Sequence, residues 1–121
     1  MMRKSILLML VFALAMPAFA ATTKERVGND ATRLASLLHD VQTKSMVSEA
    51  MWKTVANEGN ALANRLYGYT SGNKPARALA AELRTHVREM RKAALAGDAD
   101  GARRHANEAR PFAYKLIDWA G

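Results

Sequence analysis

The sequence contains no cysteine, and that absence removes a good deal of chemistry. There is no catalytic thiol, no thiolate ligand for zinc, no covalent attachment point for haem and no Cys to carry a lipid anchor. A chain without disulfides has to hold itself together with a regular, self-sufficient core. Proline and glycine are also sparse, three and seven in 121 residues, and no linker rich in them divides the chain. β-Branched residues are few, and no stretch sustains a period-two alternation, so strands are not expected. Neither a glycine-rich phosphate loop nor a G-x-S-x-G elbow occurs, which leaves hydrolase and transferase chemistry without a signature. Long apolar runs are missing too, except for one at the very start.

That run has the form of an export leader. "MMRK" supplies a short basic stretch, "SILLMLVFALAM" an apolar segment of about twelve residues, and Pro17 followed by "AFA" a small-residue exit. A membrane span would need about 20 apolar residues. The expectation is a Sec signal peptide over residues 1–20, cut after Ala20, and a periplasmic or secreted protein. The mature chain, 21–121, is then a single domain with its own core. Without Arg3 and Lys4 it keeps 16 Lys and Arg against 11 Asp and Glu, a net charge of +5. In that compartment such a balance points to an acidic protein or an anionic membrane surface as a partner, not to nucleic acid.

What is present is alanine and helical periodicity. A helix is expected over about 23–41, with Val27, Ala31, Leu34, Leu38 and Val41 on one face and Gly28 weakening its first turn. A second is expected over about 45–67, capped by Ser45 or Ser48, with Met51, Trp52, Val55, Leu62 and Leu66 inward. Gly59 in its middle implies a close approach of another helix. Gly68 or Gly72 should end it. A third is expected over about 74–95, capped by Asn73 with Pro75 in its first turn, burying Leu79, Leu83, Val87 and Met90. Gly97 and Asp98 make the next cap pair. The fourth, about 99–120, carries Ala102, Ala106, Ala109, Phe112, Ala113 and Leu116 inward, with Pro111 inside it. Short connections between four helices predict an all-α fold, an antiparallel up-down-up-down four-helix bundle.

The stretch "ALAGDADGARRHANEA", together with the leader and the four-helix pattern, resembles the soluble b-type cytochromes of the bacterial periplasm and their c-prime relatives. The resemblance implies a bundle of this architecture and a haem site at its far end. The ligands themselves are missing. No C-x-x-C-H is present, the first helix has no Met, and counting from Gly97 puts Ile117 at the last-helix His position. His105 lies twelve residues earlier, about 18 Å along the axis.

The remaining candidates come from the chain itself. If the last two helices pair about Asp98, His105 approaches Met90, and His86 stands one turn from Met90. Thioether and imidazole together suit Cu(I), and a Met/His pair can clasp haem. The expectation is Met90 as core and no cofactor; the alternative is haem b, with Met90 and His105 as candidates, or copper, with His86, Met90 and His105. His39 is expected on the surface and Glu58 at the core boundary. Arg84, Arg88, Arg91, Lys92, Arg103 and Arg104, with Arg110, form a candidate basic ridge for an anionic partner. With no catalytic constellation to point to, the expected role is a non-enzymatic one, binding a partner; the alternative is a haem or copper carrier on the same bundle.

Overall fold

The computed structural model describes residues 22–44 and 49–121. These residues are all-α, with four helices and no strand among them: α1 (Thr23–Thr43), α2 (Glu49–Tyr69), α3 (Lys74–Leu95) and α4 (Ala99–Ala120). The leader with its cut after Ala20, and the expected caps Ser45 and Ser48, lie outside the described residues. Among the described residues no helix is long and apolar enough to cross a membrane.

Local chemistry sets the ends of the helices. Thr22 opens α1 with a capping box. Its hydroxyl accepts from the Glu25 N–H at 3.1 Å, and Glu25 Oε1 accepts the Thr22 N–H at 2.8 Å. That backbone hydrogen bond holds the Glu25 carboxyl below its usual range. Asn73 caps α3 by accepting from Ala76 N–H, and Asp98 caps α4 by accepting from Gly101 N–H. Gly97 turns between α3 and α4 at φ 78°, a left-handed conformation that glycine adopts without penalty. The end of α2 departs from expectation. The helix runs through Gly68, and among the described glycines only Gly97 has positive φ. Buried Thr70 closes this end instead, its hydroxyl donating to the Leu66 carbonyl at 2.9 Å.

The expected faces are the buried ones. Leu34, Leu83 and Leu116 are wholly excluded from solvent, and Leu62 nearly so; each side chain of this kind contributes about 1.5–3 kcal/mol on burial. Met51 is the exception in its stripe, being largely exposed. Each helix packs on two others: α1 and α3 each touch both α2 and α4. Pairs across a seam run in opposite numerical order. Asp30 meets Arg65 while Arg33 meets Glu58, and Gly28 lies against Ala120 while Gln42 bonds Asn107. Asp30 and Arg65 form a two-point clasp at 2.9 and 3.1 Å, which raises the Arg65 guanidinium further above its already high range.

The close approach expected at Gly59 is not one of backbones. A Cβ there would lie 3.4 Å from the Met90 methyl and 3.8 Å from Leu34 and Val87 side chains, all ordinary contacts with mobile ends. The tighter site is Gly28, where a Cβ would come within 3.3 Å of Ala120. Gly59→Ala should therefore gain helix propensity without a clash and stabilise the fold by about 0.5–1 kcal/mol. Urea unfolding checks this; a loss of stability would mean that Met90 cannot yield.

Candidate metal centre on the seam between α3 and α4

The inward face of α4 is made of small residues. Gly101, Ala102, Ala106, Ala109 and Ala113 are buried, and Leu116 is the one large buried side chain. Small side chains at a contact let two helix axes come close. Residues on the flank of that contact, rather than in it, are then drawn within bonding range of each other. On α3 that flank carries His86, between the buried Leu83 and Val87. On α4 it carries His105, Glu108 and Phe112.

Glu108 joins the two histidines. Its Oε1 lies 3.0 Å from His105 Nδ1, one turn earlier on α4, and 3.6 Å from His86 Nδ1 across the seam. The imidazoles are 21% and 26% exposed and the carboxylate 44%, so the trio stands at the edge of the core and open to solvent on one side. Phe112 stacks against the His86 ring, centroids 5.7 Å apart and planes within 15°, which restricts how that ring can turn. One donor atom from each of the three residues lies within 4.8 Å of the others. With the imidazoles charged, this is a pair of ion pairs on one carboxylate. With them neutral, it is two nitrogens and one oxygen facing a common point. Ligand atoms around a tetrahedral ion with bonds of about 2.0–2.1 Å sit about 3.3 Å apart, against a separation of up to 4.8 Å among the three donors here. Glu82 and Glu89, four residues before and three after His86, share its side of α3; Glu89 is in contact with Lys92 at 3.6 Å. Lys115, over the Phe112 ring at 5.5 Å, is the nearby cation.

Of the three residues that the sequence offers for copper, the fold brings His86 and His105 together. Met90 is 1% exposed and ends against α2, its methyl beside Gly59. Glu108 takes the third place. In the sequence it reads only as an interruption of the basic residues. The available signal was its position three residues after His105, which puts the two on one helical face. His39 is exposed and Glu58 is partly buried against Arg33, both as expected.

The basic residues are distributed over several surfaces. Arg84 lies over the Tyr67 ring at 3.6 Å, and Arg91 donates to Asn57 Oδ1 at 3.0 Å, so both turn toward α2. Arg103 lies 5.8 Å from the Trp52 ring. Arg110 turns toward α1, donating to Gln42 at 2.7 Å and to the Tyr114 hydroxyl at 3.0 Å, with its Nε buried and without a protein acceptor. Arg88 and Arg104 are exposed and have no partner among the described residues. Rings are frequent neighbours of these cations, with Lys24 over Trp119 at 5.1 Å and Arg77 over Tyr67 at 3.9 Å as further cases.

No family model, curated protein or solved structure matches the chain.

Tyr67 lies between elements with two guanidiniums on its ring. Hydrogen bonding from Arg77, then the charges of Arg77 and Arg84, hold its phenol below the usual tyrosine range. Arg77→Ala should therefore raise the Tyr67 transition toward about 10. Absorbance titration at the phenolate band, in a Tyr69→Phe, Tyr114→Phe background, reads it directly; no upward movement would mean that Arg77 does not act on the phenol.

Proposed function

We propose that this is a small exported, non-enzymatic protein, a single up-down-up-down four-helix domain, that acts by binding a transition-metal ion at His86, His105 and Glu108. The opposing order of residue pairs across the helix seams supports the topology, and the basic–apolar–small pattern of residues 1–20 supports export. The observation that carries the metal is the convergence of two imidazole nitrogens and a carboxylate oxygen on one helix seam. His105 and Glu108 are neighbours by local spacing, but His86 reaches them only because α3 packs against α4. Of the expected cofactors, a metal ion fits this donor set better than haem. A second role, docking an anionic partner, is favoured by the exposed and unpaired Arg88 and Arg104.

Dialysis of the purified protein against micromolar zinc, followed by metal analysis, tests the metal. One ion per chain is expected in the wild type, and less than a tenth of that in His86→Ala, His105→Ala double variants. Bound ion should also protect the fold, by about 2.7 kcal/mol at a free concentration one hundred times Kd. Equal zinc in wild type and double variant would remove the site. Capture by anionic vesicles that is lost on raising salt and in Arg88→Glu, Arg104→Glu would instead favour docking.

A further inference from the structure

The donor set says which ion. Soft thioether and thiolate ligands select Cu(I), whereas imidazole and carboxylate suit divalent ions of borderline hardness. No thiolate exists in the chain, so the question turns on Met90, the methionine nearest in sequence to the trio. Met90 lies one turn after His86 on α3, yet the two side chains take different surroundings. His86 sits on the α4 flank at a quarter exposure. Met90 is in the core at 1%, and its methyl ends 3.4 Å from the Cβ position of Gly59, beside Leu34 and Val87. Moving the thioether out to the seam would empty its place in the core and expose an apolar side chain. The remaining donors are two nitrogens and one oxygen, with one side open to solvent through Glu108. That is the arrangement of a site that keeps an exchangeable position.

Building on the metal-binding proposal above, we infer that the ion is divalent, Zn(II) or Cu(II), held by His86, His105 and Glu108 with an open coordination position, and that the site does not take Cu(I). Met90 belongs to the fold and not to the ligand set. Glu108 supplies the anionic ligand, and the ion joins α3 to α4 across the turn at Gly97.

Chelator competition separates the possibilities. The purified apo protein is titrated with Zn(II) and with Cu(II) against a chromophoric chelator, and anaerobically with Cu(I) against a Cu(I)-specific one. Expected are one Zn(II) or Cu(II) per chain, at least tenfold weaker binding in His105→Ala and in Glu108→Gln, affinity within twofold of wild type in Met90→Leu, and no Cu(I) withdrawn from its chelator. Electron paramagnetic resonance of the wild-type Cu(II) form should show coupling to two nitrogens, a reading that needs no variant to fold. Cu(I) binding that disappears in a normally melting Met90→Leu would overturn the divalent assignment and leave metal binding standing. Failure to bind any of the three ions would overturn both.

Discussion

The arrangement depends on how little α4 puts into the core. Of the 21 buried apolar residues among those described, eleven are alanine, and on α4 alanines and a glycine fill every buried position except Leu116. A face that flat lets α3 and α1 approach α4 closely, because the contact distance of two helices is set by the side chains between them. The larger residues needed to fill the interior then come from the other three helices: Leu34 and Leu38 from α1, Leu62 and Leu66 from α2, Leu83 and Met90 from α3. The seam between α3 and α4 inherits its character from this. With small residues inside, the side chains just outside, His86, His105, Glu108 and Phe112, are brought into contact across the gap.

Most of this fold is legible in the chain because its signals are local and repeated. The spacing of Val27, Ala31, Leu34, Leu38 and Val41 states a helix face five times over, and the caps Asn73 and Asp98 with Gly97 bound α3 and α4 to the residue. What was harder to read depended on a single side chain or on distance. The Thr22–Glu25 box is present as T-x-x-E but opens a helix that holds Gly28 in its second turn, so its apolar start is weak. The end of α2 looks like a glycine stop because two glycines flank it, whereas a buried threonine hydroxyl does the work of satisfying the last carbonyls. Gly59 suggests touching backbones, but a flexible methionine from another helix fills the same space.

The candidate centre was half legible for the same reason. Pairing the last two helices about Asp98 brings His86 and His105 into one neighbourhood, since register follows from the short turn. It does not say which way each side chain leaves its helix. Met90 and His86 are one turn apart, yet α3 rotates so that Met90 enters the core and His86 the flank. Nor does charge counting reveal Glu108 as the neighbour of both histidines, because a glutamate among arginines reads as relief of repulsion. The same limit governs the cations. Their number is in the sequence, but Arg84, Arg91, Arg103 and Arg110 each find a ring or an amide on another helix, and only the folded chain shows which remain available.

The habit of resting cations on rings has a consequence for the conditions this molecule can withstand. The clasps of Arg33 with Glu58 and Arg65 with Asp30 rely on carboxylates. Lys24 on Trp119, Arg77 and Arg84 on Tyr67, Arg103 on Trp52 and Lys115 on Phe112 rely on faces that have nothing to protonate in acid. The ties between basic and aromatic side chains ask for no charged carboxylate, so the surface can hold a surplus of cations in surroundings that offer few anions.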